Sequence, residues 1–197
     1  MHDLEPASRQ TARVVEGIRD EQLGLPTPCA GTTVGDLIDH VDGLSLAFAA
    51  AAAKDQLPGG SRPPTADASR LGPEWRSRVP SRLAALAEAW RDPAAWQGDT
   101  EAGGQPLPSA LAGVIALDEV IVHGWDLAVS TGQPYASSES DVEAALGFVR
   151  ETVARNPQGT PGLFGPPVSV PDDAPPLDRL IGLTGRDPKW SSTRVGG

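Results

Sequence analysis

The chain has 197 residues, a formal net charge of −10 and a sequence pI of about 4.7. Phosphate backbones and anionic lipids repel such a surface, so we expect neither nucleic-acid nor membrane partners. The length suits one domain. The chain has one cysteine, Cys29, so an intrachain disulfide is excluded. The sequence shows neither a signal-peptide pattern nor an apolar run of about 20 residues, and we therefore expect a cytoplasmic protein.

Six segments carry apolar residues at helical spacing, and capping residues, glycines and prolines suggest their bounds. The predicted helices cover residues 4–24, 34–53, 73–90, 108–130, 138–155 and 176–184. Pro80 lies inside the third segment and predicts a kink or a break there. Residues 54–71 and 93–106, between the helices, are predicted to be loops because breaker residues cluster in them.

This series of helices predicts an all-α fold. We expect residues 1–155 to form an antiparallel helix bundle. Residues 156–197 are rich in proline and glycine. We expect them to form a C-terminal arm with a short extra helix, packed on the bundle and not folded as an independent domain. No segment is a convincing strand, although residues 167–170 have the composition of an extended segment.

His40 lies on the second predicted helix. Thr32 and Thr33 offer an N-cap, and Asp36 sits in the first turn, where the helix dipole favours an acid. His40 follows beside the apolar stripe that contains Leu37, so it should lie at the inner edge of the helix. A lone histidine in such a place is more often a hydrogen-bonded core or rim residue than a metal ligand.

Glu119 and His123 lie about one turn apart on the same face of the fourth predicted helix. A carboxylate and an imidazole among apolar neighbours can hold a divalent metal if a third ligand arrives from elsewhere. The chain has three histidines, and His2 lies at a terminus expected to fray. The third ligand would therefore be His40. The alternative is an ordinary i, i+4 pair without a metal.

Three further residues are candidates for supporting roles. Asp126, three residues after His123, could accept a hydrogen bond from its imidazole, or be an ordinary hydrogen-bonded helix residue. Trp125 could hold a metal-ligating residue in place without binding the metal itself, although a packing role is the simpler interpretation. Cys29 could be a nucleophile, but we expect no nearby histidine or basic cluster to lower its pKa, so we disfavour that role.

Several stretches of the chain together resemble an actinobacterial family, the DinB-like metal-binding proteins related to the N-terminal domain of mycothiol-dependent maleylpyruvate isomerase. The likeness spans nearly the whole chain. It is carried by the stretches LPTPC (25–29), TVGDLIDH (33–40), DEVIVHGWDLA (118–128), TGQ (131–133), FGPPV (164–168) and PPLDRL (175–180).

The resemblance implies a DinB-type four-helix bundle with a divalent metal held by His40, Glu119 and His123. Zinc is the first expectation, with nickel and iron as alternatives. Relatives use the metal to bind and activate a low-molecular-weight thiol, mycothiol in actinobacteria, for isomerisation or thiol transfer. Thr32 stands where relatives often have tryptophan. The arm, 156–197, is too short for the isomerase's additional C-terminal domain, so the isomerase activity itself is not carried over.

Two functions of different classes follow. The first is a mycothiol-dependent transferase or isomerase, with a small-molecule thiol and a small electrophile as its partners. The second is a non-catalytic bundle in which the metal fixes the structure or holds a ligand. The sequence identifies no catalytic residue. A homodimer is compatible with a bundle of this size, although no residue specifies one.

Overall fold

The computed structural model describes residues 1–55, 60, 65–160 and 162–192. Within them the chain forms six α-helices and one two-stranded antiparallel hairpin. The helices are α1 (Glu5–Gly17), α2 (Val34–Ala53), α3 (Trp75–Ala89), α4 (Ser109–Thr131), α5 (Glu139–Arg155) and α6 (Pro176–Leu183). The strands are β1 (Asp99–Ala102) and β2 (Gln105–Pro108). Short 3₁₀ turns span Asp20–Gln22, Ala68–Arg70 and Pro93–Trp96.

The first four helices pack around a shared apolar core. Helices α1 and α2 each contact both α3 and α4, while α5 contacts α4 and α6 contacts α5. Helix α4 is central because apolar residues surround nearly its whole circumference, and Leu117, Ile121 and Leu127 are completely buried. No helix among the described residues is both long and apolar enough to cross a membrane.

The fold is mostly helical, as predicted, but it is not strictly all-α, because β1 and β2 form a hairpin after α3. Gly103 and Gly104, with φ of 61° and 76°, make its two-residue turn, where positive φ favours glycine. Thr100 on β1 is buried and donates a hydrogen bond to the Ala51 carbonyl near the end of α2 (2.7 Å). Each strand has only four residues and β2 contains two prolines, so no alternating pattern indicates them.

Two helices differ from their predicted form. Helix α1 ends at Gly17 and not near Gly24, since Ile18 is extended and a separate 3₁₀ turn follows. Helix α3 continues without a break through Pro80. Proline removes the one N–H that would bond the Arg76 carbonyl, and the burial of the helix on α1 and α2 offsets that single loss.

The two predicted loops have different outcomes. Residues 54–71 lie partly outside the described residues, which exclude 56–59 and 61–64. The described remainder contains a 3₁₀ turn before Leu71. The second predicted loop, 93–106, contains another 3₁₀ turn, β1 and the start of β2.

The segment after α5 lies against the helices. The Phe164 ring packs edge-on against Phe148 of α5, with 6.0 Å between ring centroids. The Val168 N–H donates to the Gly182 carbonyl of α6 (2.9 Å), and residues 167–170 form no strand. These contacts bring the chain that follows α6 back towards α4.

Candidate metal site

Two helices bring the three predicted metal ligands together. Glu119 Oε2 on α4 lies 3.0 Å from His123 Nε2 and 3.7 Å from His40 Nε2 on α2. The two imidazole rings meet edge to face with centroids 4.9 Å apart. One ligand atom from each residue lies within 4.8 Å of the other two. Two imidazoles and one carboxylate are a donor set that suits zinc, iron or nickel, so the residues fit a divalent metal.

The start of α2, which positions His40, is fixed by a reciprocal capping box. The Asp36 N–H donates to Thr33 Oγ1 (3.2 Å), and the Thr33 N–H donates to Asp36 Oδ2 (3.0 Å). The other carboxylate oxygen of Asp36 accepts from the Ala68 N–H (2.8 Å). The first two bonds satisfy backbone donors at the helix start, the third joins the Ala68–Arg70 turn to it, and His40 follows one turn after Asp36.

A glycine allows close packing on the turn of α4 that carries His123. A Cβ at Gly124 would lie 2.2 Å from Thr11 Oγ1 and 2.7 Å from the Tyr135 hydroxyl. The Thr11 hydroxyl donates a hydrogen bond to the Val120 carbonyl (3.0 Å). Helix α1 is therefore joined directly to the backbone beside the histidine.

Asp126 lies on the far side of the His123 ring from Glu119. His123 Nδ1 is 3.0 Å from Oδ2 of Asp126, a completely buried residue. A proton on Nδ1 that is donated to this carboxylate leaves Nε2, the atom beside Glu119, available to a metal. Trp125 is buried in the hydrophobic core, and its supporting role stays a prediction.

Arg186, in the loop after α6, completes the cluster and was not predicted. Its Nε lies 2.8 and 3.0 Å from the two oxygens of Asp126, and its Nη2 lies 3.1 Å from Cys29 Sγ. Cys29 Sγ also lies 3.3 Å from Asp126 Oδ2. The expectation that Cys29 has no basic neighbour is wrong, because the fold brings it to a residue 157 positions away. No local pattern marks Arg186 for such a role.

Hydrogen bonds and opposite charges within this cluster shift the pKa values of its members towards their charged forms. Burial alone would raise the pKa of Glu119, but hydrogen bonds from the two imidazoles hold it well below its usual range. Burial alone would lower the pKa of His123, but hydrogen bonds, first that with Asp126, raise it well above its ordinary value. Burial would likewise raise the pKa of Asp126, but the charge of Arg186 keeps it low. As long as Nε2 of His123 is not bound to a metal, the cluster therefore favours positive charge on this imidazole.

A cavity of about 630 Å³ lies beside the three candidate ligands. It is bounded by α2, the β1–β2 hairpin, α4 and parts of the segment after α5. Its volume falls within the range of about 300–1,000 Å³ that is usual for small-molecule sites. His2, the remaining histidine, lies outside the cluster and packs edge-on against Trp96, with 5.8 Å between ring centroids.

A known protein family matches most of the chain. The family described as "Mycothiol maleylpyruvate isomerase N-terminal domain" matches residues 4–128. The chain belongs to this family. The resemblance seen in the sequence is thereby confirmed. The part that matches the mycothiol maleylpyruvate isomerase N-terminal domain contains all three candidate ligands and Asp126, whereas Arg186 lies beyond it.

The chain has relatives in two strains of Mycobacterium tuberculosis, CDC 1551 / Oshkosh and H37Rv. Both are described as uncharacterized, and each is 31% identical over 183 residues, which is 89% of this chain and 91% of the relative.

Two solved structures share the fold. They are crystal structures of the mycothiol-dependent maleylpyruvate isomerase and of a histidine-to-alanine mutant of it. Each has a TM-score of 0.57 and 20% identity and covers 76% of this chain. The chain spans 66% of the length of that isomerase.

Proposed function

We propose that the protein is a metal-dependent enzyme that uses mycothiol as a co-substrate to transfer the thiol to a small electrophile or to isomerise the electrophile. The observation that carries this proposal is the convergence of His40, Glu119 and His123 at the wall of a cavity large enough for small molecules. Membership of the mycothiol maleylpyruvate isomerase N-terminal domain family supports mycothiol as the thiol.

The chain's own residues would hold the metal and keep its ligands in place. His40, Glu119 and His123 would bind it, with zinc as the first candidate and nickel and iron as alternatives. When bound, a divalent metal lowers the pKa of a coordinated thiol and so supplies a thiolate near neutral pH. Asp126 holds the His123 ring through Nδ1, and Arg186 in turn holds the Asp126 carboxylate.

The proposal includes a structural part. Helices α1 to α4 would be the four-helix bundle expected of DinB-like proteins, since α1 and α2 each contact both α3 and α4. Residues 1–155 would form the metal-binding unit, and residues 156–197 would be an arm packed on it. A cytoplasmic location, the absence of nucleic-acid partners and a homodimer stay predictions.

The proposal is tested by metal loading and thiol transfer with matched histidine variants. The purified protein is loaded with zinc, and mycothiol conjugation to chlorodinitrobenzene is followed by absorbance. We expect His40→Ala and His123→Ala to lose zinc binding and transfer together, because each removes one of three ligands. His2→Ala is the control, since it removes a histidine outside the cluster and should keep both properties.

Two outcomes would contradict the proposal. Equal transfer rates in the parent protein and His123→Ala would remove the metal from the reaction. Zinc binding that depends on His40 and His123 but is accompanied by neither mycothiol binding nor transfer would favour the non-catalytic function instead. Elemental analysis of the protein as purified identifies the metal it carries.

A further inference from the structure

The cavity beside the candidate ligands has two chemically different ends. Around His123 its wall carries polar groups, the Cys29 thiol, the Thr32 hydroxyl and the Arg186 guanidinium. In the other direction the wall is mainly apolar, and Gln105 on β2 is its uncharged polar side chain. The ligand cluster therefore lies between a polar part and an apolar part of one cavity.

Helical spacing defines the apolar end. Leu44 and Phe48 follow His40 on α2 by four and eight residues, roughly 6 and 12 Å along the helix axis. Ile115 precedes Glu119 on α4 by one turn. All three line the cavity, which β2 closes with a further leucine, Leu107. We call these four residues the apolar end.

Apart from the candidate metal ligands, the described wall offers a substrate anion little compensation. Arg186 is the one arginine or lysine among the described residues that line the cavity. Its Nε already bonds Asp126, its Nη2 contacts Cys29, and its Nη1 donates to the Thr184 carbonyl (3.3 Å). A carboxylate of the substrate placed in the apolar end would therefore lose its hydration without gaining an ion pair, which is strongly unfavourable.

We propose that the electrophile is an uncharged molecule with an apolar body, seated against Leu44, Phe48, Leu107 and Ile115, and not a carboxylate. This inference rests on the proposed function, because it assigns the second substrate of that reaction. The polar end around Cys29, Thr32 and Arg186 is left for the hydrophilic body of the thiol. Apolar burial then supplies the binding energy for the electrophile.

A matched pair of electrophiles tests the inference. Chlorodinitrobenzene is uncharged, and chlorodinitrobenzoate carries one additional ring carboxylate. In both, the thiol sulfur forms a bond to the ring carbon, chloride leaves with the electrons of the carbon–chlorine bond, and the thiol proton passes to solvent. For the zinc-loaded protein with mycothiol, we expect kcat/KM, corrected for the uncatalysed rates, to favour the uncharged compound by roughly tenfold or more.

Two lysine variants locate the effect. Leu107→Lys adds a cation at the apolar end and should reduce or reverse the preference. Leu111→Lys makes the same change on α4 at a residue that is 39% exposed and does not line the cavity, so it should keep the preference. An equal or opposite preference in the parent protein, or the same change in both variants, would overturn the inference.

Binding of unreactive analogues separates this inference from the proposed function. Dinitrobenzene and dinitrobenzoate have no chloride to lose, so calorimetry measures their binding alone. Tighter binding of dinitrobenzene, with no thiol transfer to either chloro compound, would refute the proposed enzyme activity and support the assignment of the cavity to apolar ligands. Tighter or equal binding of dinitrobenzoate, or no binding of dinitrobenzene, would refute that assignment even if transfer occurs.

Discussion

Asp126 connects the ligand residues to the C-terminal segment. Its carboxylate lies 3.0 Å from His123 Nδ1 and receives Arg186 Nε at 2.8 and 3.0 Å. The residue is completely buried, so water does not compete for these bonds. Replacing one carboxylate oxygen of this side chain should therefore alter the metal affinity, because the change acts on the His123 ring.

We predict that Asp126→Asn lowers zinc affinity by about 10–100-fold, the usual effect of losing a carboxylate that orients a ligating histidine. The neutral amide is a weaker acceptor for the Nδ1 proton and leaves Arg186 without its counter-charge. Competition with a chromophoric chelator measures the dissociation constant.

The control is Asp42→Asn, which alters another buried acid of the same type. Asp42 Oδ2 pairs with Arg78 and Arg82, each at 2.9 Å, away from the candidate ligands. Zinc affinity should be unchanged in this variant. The same affinity in the Asp126 and Asp42 variants would show that the contact with His123 does not influence the metal.

At the scale of elements, the start of α2 depends on an ionised side chain. The pKa of Asp36 is lowered, first by the hydrogen bond with the Thr33 side chain and then by the backbone N–H groups of Thr33 and Ala68. A folded-state pKa below the unfolded value of about 3.9 means that Asp36 contributes stability above about pH 4. That contribution is lost as the pH falls through the folded-state pKa.

We therefore predict that Asp36→Asn is less stable than the parent protein near neutral pH and that the difference shrinks below about pH 4. Urea unfolding near neutral pH and at about pH 3 measures the two free energies of unfolding. The exposed Asp99→Asn on β1 is the control and should show a small, constant difference. A difference for Asp36→Asn that does not change with pH would contradict the role assigned to its charge.

The sequence predicts some elements of this site well and others not at all. Glu119 and His123 can be paired because the helical repeat alone puts residues four apart on one face. His40 follows from its position beside an apolar stripe. Arg186 could not be found in the same way, since its partners are set by how the loop after α6 returns to α4, and no local periodicity describes that path.

The hairpin shows a similar limit. A Gly-Gly pair between two strands indicates a two-residue turn, and the sequence contains such a pair at Gly103 and Gly104. Strands of four residues with two prolines lack the alternation that would support that sign. Their position is set by tertiary contacts, such as the bond between Thr100 and the Ala51 carbonyl.

At the scale of the whole molecule, the site should couple metal binding to stability. A ligand that binds only the folded state at one hundred times its dissociation constant adds about 2.7 kcal/mol. For a chain of this length, each kcal/mol corresponds to about 2–4 °C in Tm. We predict that saturating zinc raises the Tm by roughly 5–10 °C and that a chelator reverses the shift.

Thermal unfolding of three proteins checks this prediction. The parent protein and His2→Ala should show the zinc-dependent shift, whereas His40→Ala should not, because it lacks one ligand on α2. An equal shift in His40→Ala would show that zinc binds elsewhere on the chain.

The contact between Cys29 and Arg186 has a consequence for the order of folding. It joins residues 157 positions apart, so it closes a very long loop of chain. Closing such a loop carries a large entropic cost before any contact compensates it, and non-local contacts therefore form late. The helices that carry His40 and His123 can pair before the C-terminal segment arrives. Refolding should thus produce a weak zinc site first and a tight one later, when Arg186 reaches Asp126.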